Sequence, residues 1–253
     1  MFSKAIVRSP GRSLVHGLTT ANLGKPDYGK ALQQHQAYID ALKACGLGVI
    51  VLDADEAHPD SVFVEDTALL TPHCAILMRP GAPTRRGEVA GMREVVRQFY
   101  SDIEEIKAPG TAEAGDILMA GDHFYIGVSE RTNEDGANYI IQILNRYGMS
   151  GSTVQLENVL HLKTGIAYLE NNNLMVAGEF VDNSEFDSFE KIVIPEKESY
   201  AANCIWVNGN VIMPSGNPVA KQKIVEAGYS VIEVDMSEFQ KLDGGVSCLS
   251  LRF

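Results

Sequence analysis

The stretch of sequence that decides the fold is Asp116-Ile117-Leu118-Met119-Ala120-Gly121-Asp122-His123-Phe124-Tyr125-Ile126. Two short apolar runs flank a Gly121-Asp122 turn, a pattern typical of a β-hairpin. Apolar residues then recur at helical spacing through residues 140–147, and residues 153–155 have the composition of a third strand. The repeating unit is therefore strand, turn, strand, helix, strand.

The same unit recurs along the chain. Copies begin near residues 66, 116, 164 and 203, and a fifth is divided between the two ends, with strands predicted at 248–251 and 5–7. In the fourth copy, Asn208-Gly209 is the strongest hairpin signal in the chain. A period of about 40 to 50 residues predicts an α/β fold, a pseudo-fivefold five-bladed propeller closed by both termini as one domain, residues 1–253. An ordinary α+β domain with evenly spaced hairpins is the alternative.

Local patterns predict further details. Leu32, Ile39 and Leu42 mark the apolar face of a helix in the divided copy. Ser184 is the predicted cap of a short helix in the third copy. In the fourth, Pro218 opens a helix that Gly228 closes.

Composition excludes several classes of function. The net charge is −12 and the chain has no basic cluster, which argues against a nucleic-acid partner. No apolar run reaches 18 residues, and the first residues contain no secretory segment, so we expect a cytoplasmic protein without membrane association. The four cysteines are scattered and no His/Cys spacing fits a metal site, so we expect no disulfide framework, no catalytic metal and no cofactor.

Polar residues stand at matching places in the copies, at or just before the first strand. In a ring, equivalent positions converge on the axis, so these residues would share one cavity. They are Glu65, Asp66, Glu113, Asp116, His161 and Cys248.

This set has a chemical logic. The thiolate of Cys248 is a strong nucleophile, His161 can transfer protons, and a carboxylate such as Glu113 can orient the imidazole. Further carboxylates suit a planar guanidinium, and Arg85 and Arg131 could clamp an α-carboxylate. Taken singly, each has an ordinary alternative: a buried cysteine, a core histidine, solvated loop acids and surface arginines.

Six segments of the chain carry a resemblance to a known family: Asn22 to Pro26, Asp60 to Asp66, Arg85 to Glu88, Glu113 to Asp116, His161 to Gly165, and Asp243 to Phe253. Together they closely resemble the bacterial type of the dimethylarginine dimethylaminohydrolase family, within the guanidino-group-modifying (pentein) superfamily. The likeness spans essentially the whole chain.

The resemblance implies a five-bladed propeller in which Cys248 is the nucleophile, His161 the general acid/base and Glu113 its orienting partner. It implies a small-molecule partner, a methylated arginine, hydrolysed to citrulline and an amine. Glu65 and Asp66 would meet the guanidinium, and Arg85 and Arg131 the carboxylate. The family's substrate contacts fall on Leu18 (backbone), Asp60, Glu65, Asp66, Arg85 and Arg131. A homodimer is expected from the resemblance alone.

One position separates the related subfamilies. Arginine deiminases and amidinotransferases resemble one another in having His-x-Asp at the catalytic histidine, whereas this chain has Lys163 at the third position. Less negative charge and more room there favour a substrate with methyl groups. An arginine deiminase, or another amidine hydrolase, remains one alternative, and a non-catalytic binding protein on the same fold remains another.

Overall fold

The computed structural model describes the whole chain, Met1–Phe253. Its α-helices are α1 (Tyr28–Ala44), α2 (Glu88–Val96), α3 (Glu134–Arg146), α4 (Pro218–Glu226) and α5 (Ser237–Gln240). The strands are β1 (Lys4–Arg8), β2 (Gly48–Leu52), β3 (Ala68–Leu70), β4 (Ala75–Leu77), β5 (Ile103–Glu105), β6 (Ile117–Ala120), β7 (His123–Val128), β8 (Ser150–Gln155), β9 (Ile166–Tyr168), β10 (Asn173–Val176), β11 (Glu190–Val193), β12 (Ile205–Val207), β13 (Asn210–Pro214), β14 (Ser230–Val234) and β15 (Leu251–Arg252).

The strands form five three-stranded sheets with one topology. In each sheet the middle strand is antiparallel to one neighbour and parallel to the other, as β7 is to β6 and β8. The fifth sheet has the order β15-β1-β2, with Ile6 opposite Leu251, so the two ends of the chain share a sheet as predicted. The α/β class and the five repeated units are therefore confirmed.

The parallel pair in each sheet requires a crossover connection. Helices α1, α2, α3 and α4 supply four of these connections. The third copy instead uses two short 3₁₀ turns, Gly178–Phe180 and Ser184–Phe186. The predicted cap at Ser184 is wrong by one residue, because the side chain of Asn183 accepts the hydrogen bond from the N–H of Glu185.

The chain divides into two compact units. The first comprises Met1–Val64 with Gly165–Arg252 and contains three sheets; the second comprises Glu65–Thr164 with Phe253 and contains two. In the second unit, the buried side chains of Ile140, Ile143 and Leu144 on α3 join the core, as their helical spacing predicts. No helix in either unit is long and apolar enough to cross a bilayer.

A 3₁₀ turn lies immediately before the first strand of every sheet, separated from it by at most two residues. The turns are Val64–Thr67, Ala114–Asp116, Leu162–Thr164, Glu196–Ala202 and Ser247–Leu249. Four of these turns carry or adjoin candidate site residues, so the fold presents those residues at equivalent places in its repeating unit; they are Glu65 and Asp66, Glu113 and Asp116, His161, and Cys248.

Two local predictions are wrong in part. Cys248 lies in the turn Ser247–Leu249 and not in a strand. On the predicted apolar face of α1, Ile39 and Leu42 are buried as expected, whereas Leu32 is 39% exposed.

Candidate active site

His161 is paired with a fully buried carboxylate. Its Nε2 lies 2.7 Å from Oε2 of Glu113, which is 0% exposed. The N–H of Gly81 donates to Oε1 of Glu113 at 3.1 Å, and the N–H of Glu113 donates to Oγ1 of Thr132 at 3.1 Å. A carboxylate held this firmly fixes the orientation of the ring and favours its protonated form.

Three carboxylates decide the charge of His161. Burial alone would lower the pKa of His161, but the negative charges of Asp116 and Asp66 and the hydrogen bond to Glu113 raise it to about 9. The imidazole is therefore protonated at neutral pH. In that form it can donate a proton to a leaving group.

Asp66 approaches the same imidazole from a second turn. The N–H of Gly115 donates to Oδ1 of Asp66 at 3.1 Å. A Cβ at Gly115 would lie 2.9 Å from Oδ1 of Asp66 and 3.0 Å from Cγ of His161. Only glycine leaves room for both side chains to approach the turn, which gives this position a steric reason for its residue type.

Arg85 is buried, so the ordinary expectation of a surface arginine is wrong. Its Nη1 lies 2.6 Å from Oδ2 of Asp66, and its Nε and Nη2 lie 3.0 and 2.9 Å from the two carboxylate oxygens of Glu88. Burial opposes the charge of Arg85, but Asp66 and Glu88 outweigh it and hold the pKa of Arg85 well above its ordinary value. Burial likewise opposes ionisation of Asp66, but Arg85 lowers the pKa of Asp66 below its ordinary value.

Glu88 is a site residue that sequence reasoning missed. It lies in the first turn of α2 and is 3% exposed. The available signal was its spacing of three residues from Arg85, which suits a bidentate arginine–carboxylate pair.

Asp116 supports the turn that follows His161. It is 0% exposed, and it accepts hydrogen bonds from Oγ of Ser129 at 2.7 Å and from the N–H of Leu162 at 3.0 Å. Burial raises the pKa of Asp116, and the positive charge of His161 opposes that increase. Its bond to Leu162 fixes the residue next to His161 in the chain.

Glu65 and Arg131, two further predicted substrate contacts, each have an ionic partner within the second unit. Nζ of Lys163 lies 2.5 Å from Oε1 of Glu65, and both side chains are mostly buried. Nη1 of Arg131 lies 3.7 Å from Oε1 of Glu113, and the Arg131 side chain is 20% exposed. Lys163 therefore offsets the charge of Glu65.

Cys248 lies in the first unit, and its thiol differs from the others in accessibility. Cys45, Cys74 and Cys204 are buried, whereas Cys248 is partly exposed. The N–H of Gly245 donates to its Sγ at 3.3 Å. A backbone donor at this distance favours the thiolate form of a cysteine.

The two glycines before Cys248 are required for packing. A Cβ on Gly244 would lie 2.2 Å from Cε1 of Phe63, and a Cβ on Gly245 would lie 2.2 Å from Cγ of Asn203. Both distances are far inside contact range. The turn that carries the thiol can therefore pack against these side chains only where Cβ is absent.

Leu18 and Asp60 also belong to the first unit. The N–H of Leu18 donates to Oδ1 of Asp60 at 2.9 Å, and Asp60 is 6% exposed. Asp60 therefore holds the backbone at the position where the family resemblance places a main-chain contact.

The second unit also contains a group of potential metal ligands. Asp66, Glu113 and His161 present ligand atoms within 4.8 Å of one another. Protein groups already engage these side chains, since Asp66 is bonded to Arg85 and Glu113 to His161. The absence of a catalytic metal stays a prediction from the sequence.

Known proteins similar to this chain point to one family. The family model for eukaryotic N,N dimethylarginine dimethylhydrolase matches residues 25–251. The N(G),N(G)-dimethylarginine dimethylaminohydrolase of Pseudomonas aeruginosa is 62% identical to this chain over 254 residues. The alignment covers 100% of both sequences.

Solved structures point the same way. A cysteine-to-serine mutant of the Pseudomonas aeruginosa enzyme in complex with citrulline matches with a TM-score of 0.99 and 61% identity over 100% of both chains. A histidine-to-glycine variant of dimethylarginine dimethylaminohydrolase, as an adduct with S-methyl-L-thiocitrulline, matches with the same score, identity and coverage. The resemblance seen in the sequence is confirmed, and the chain belongs to the dimethylarginine dimethylaminohydrolase family, hydrolases that act on guanidino C–N bonds.

Proposed function

We propose that this chain hydrolyses Nω,Nω-dimethyl-L-arginine or Nω-methyl-L-arginine to L-citrulline and dimethylamine or methylamine through a covalent adduct on Cys248. The observation that carries the proposal is the full-length identity of 62% to an enzyme with this activity in its name. The citrulline complex and the thiocitrulline adduct of relatives agree with the product and with a covalent route.

The thiolate of Cys248 attacks the guanidinium carbon. The cationic substrate itself favours the thiolate, so the thiol can lose its proton to solvent when substrate binds. Sγ forms a bond to the guanidinium carbon, and the bond from that carbon to the methylated nitrogen then breaks. The product of this step is an S-alkylthiouronium adduct. The accessible thiol and its Gly245 N–H donor support this role.

His161 transfers the protons in both steps. As an imidazolium it donates a proton to the departing amine. As a neutral imidazole it then accepts a proton from the water that attacks the adduct, after which the C–S bond breaks and citrulline leaves. Glu113 orients the ring, and the raised pKa of His161, which carboxylates cause in spite of burial, supplies the acid form needed first.

The charged residues around these groups bind the ends of the substrate. Asp66 and Glu65 meet the guanidinium, and Arg85 and Arg131 meet the α-carboxylate. Of the two arginines, Arg131 is the more accessible, with 20% of its side chain exposed against 6% for Arg85. The pairing of Lys163 with Glu65 supports a preference for methylated nitrogen, because it lowers the negative charge near that end.

Asp60 and Leu18 complete the proposed set of substrate contacts, and Leu18 contributes its backbone. The bond between the N–H of Leu18 and Asp60 supports a fixed main chain at this point. The reaction as written requires neither a metal nor an organic cofactor.

We propose also that the five sheets close into one propeller, so that residues 1–253 form a single domain. The common strand order of the sheets and the pairing of β1 with β15 support closure. A cytoplasmic location and a homodimer stay predictions from the sequence and from the family resemblance.

The first experiment replaces the nucleophile. Cys248→Ser removes the thiolate with little change in volume, so we expect citrulline formation to be lost while the fold is kept. Mass spectrometry of the wild-type protein quenched during turnover should find the added mass on the peptide that contains Cys248. Cys204→Ser is a control for loss of a buried thiol. Citrulline formation by Cys248→Ser would overturn the assignment.

A second assay decides between this activity and its alternatives. Arginine and the methylated arginines are supplied in parallel, and ammonia, methylamine and dimethylamine are measured. Ammonia from arginine as the main product would identify an arginine deiminase. No turnover together with tight ligand binding would identify a binding protein.

A further inference from the structure

Of the five 3₁₀ turns that precede the first strands of the sheets, one has no assigned role in the proposed reaction. The turns before four of the first strands carry or adjoin Glu65 and Asp66, Glu113, His161, and Cys248. The remaining turn, Glu196–Ala202, is followed at the matching place by Asn203. A neutral amide at this place raises the question of what it contacts.

The side chain of Asn203 reaches the turn that carries Cys248, within the same compact unit. Asn203 is 6% exposed, and its Oδ1 accepts a hydrogen bond from the N–H of Ser247 at 2.9 Å. Ser247 is the first residue of the 3₁₀ turn Ser247–Leu249. The first N–H groups of a helical turn have no partner within the turn, so a side-chain oxygen commonly caps them.

Asn203 also covers Gly245. A Cβ at Gly245 would lie 2.2, 2.4 and 2.6 Å from Cγ, Oδ1 and Nδ2 of Asn203, so the amide packs directly on the glycine backbone. The N–H of that glycine donates to Sγ of Cys248 at 3.3 Å. The amide of Asn203 therefore contacts two backbone positions that flank Val246. One is Gly245, whose N–H donates to the sulfur, and the other is Ser247, the residue before Cys248.

We infer that Asn203 is a positioning residue for the nucleophile: it holds Gly245 and Ser247 so that the Gly245 N–H stays directed at the sulfur of Cys248 and favours the thiolate. The inference rests on the proposed function for the identity of the nucleophile. Asn203 acts through the backbone of the turn and not through the substrate.

The alternative is a purely structural amide. Loss of a buried, hydrogen-bonded asparagine lowers stability wherever it stands. A positioning role predicts in addition a change in how readily the thiolate of Cys248 forms, which a stability effect alone does not produce. The pH dependence of thiol reactivity separates the two.

The test measures alkylation of Cys248 by iodoacetamide across pH, without substrate, by mass spectrometry of the Cys248 peptide. Asn203→Ala should move the midpoint of the profile to higher pH by about half a unit to one unit, less than the roughly one to two units that full loss of a hydrogen bond to the charged form would give, because the Gly245 N–H is misdirected and not removed. Asn203→Ser keeps a hydroxyl that can hold a water molecule bridging to the Ser247 N–H, so it should fold even if the alanine variant does not. Its midpoint should move in the same direction by a smaller amount.

Asn217→Ala is the matched control. Asn217 is also a buried asparagine of this unit, and its Nδ2 donates to the carbonyls of Pro214 and Ser215. This variant should lower the thermal stability without moving the alkylation midpoint. If the folded Asn203 variants move the midpoint no more than Asn217→Ala, the inference is overturned.

The proposed function is tested separately by the dimethylarginine assay. A shifted alkylation profile in a protein that fails to hydrolyse dimethylarginine would refute the function and keep the role of Asn203. In an active protein, Asn203→Ala should lower kcat with little change in KM, because the amide does not bind substrate.

Discussion

The two compact units place a histidine in opposite surroundings. In the second unit, His161 lies among Glu113, Asp66 and Asp116, which raise its pKa to about 9 although burial acts in the opposite direction. In the first unit, His35 on α1 is 3% exposed, packs near Phe239, and has no hydrogen-bond partner at Nε2. Burial lowers the pKa of His35 to about 4. At pH 7 the imidazole of His161 is therefore a cation, whereas that of His35 is neutral.

The difference teaches that the surroundings, and not the residue type, decide which histidine can be an acid. The two shifts also give opposite dependences of stability on pH. His161 holds its proton more tightly in the folded protein than in the unfolded chain. Its contribution to the free energy of unfolding is therefore complete below pH 6.5 and is lost as pH rises through about 9. The unfolded chain protonates His35 more readily, so stability is lost as pH falls from 6.5 towards 4.

The largest expected effect comes from breaking the charge balance beside His161. Arg85→Met leaves the buried carboxylates of Asp66 and Glu88 without their cation, which should cost about 3 to 5 kcal/mol of unfolding free energy. Urea unfolding measures it. Arg97→Met is the control, because Arg97 forms a similar pair with Glu94 at an exposed position, where about 0.5 kcal/mol or less is expected. Equal losses in the two variants would contradict the prediction.

The next effect concerns the acid itself. Glu113→Gln keeps the shape but removes the charge that orients and protonates His161, so kcat should fall by about 100-fold or more. The pKa of His161 should also fall, so activity on the alkaline side should decline at a lower pH than in the wild type. Steady-state rates across pH measure both effects. Glu94→Gln, an exposed acid of the same unit, should leave the rate within a factor of about two; a similar decline there would contradict the assignment.

The smallest effect comes from the neutral histidine. His35→Leu removes a group that the unfolded chain protonates first, so the stability lost between pH 7 and pH 4.5 should shrink by about 2 kcal/mol. Urea unfolding at the two pH values measures the change. His16→Leu replaces an exposed histidine of the same unit and should leave the difference unaltered. An unchanged difference in His35→Leu would show that burial does not lower the pKa of His35 as described.

Much of the architecture was predictable because it is local. Turn residues such as Asn208-Gly209, with φ values of 51° and 90°, specify a tight hairpin by their own conformational preferences. The apolar spacing of Ile140, Ile143 and Leu144 specifies a buried helix face. Predictions failed where local preference was weak, as at Cys248, where the glycine turn continues into a 3₁₀ turn and not a strand.

The sequence by itself determined the repeated strand order, the helices of four of the five copies, the shared sheet of the two ends and the family. Only the tertiary structure decided that Arg85 is buried between Asp66 and Glu88, that His161 is a cation while His35 is neutral, and that Asn203 covers the turn of Cys248. The reason is physical. Turns and helices depend on neighbours in the chain, whereas the energy of a charge depends on burial and on groups brought close from distant positions.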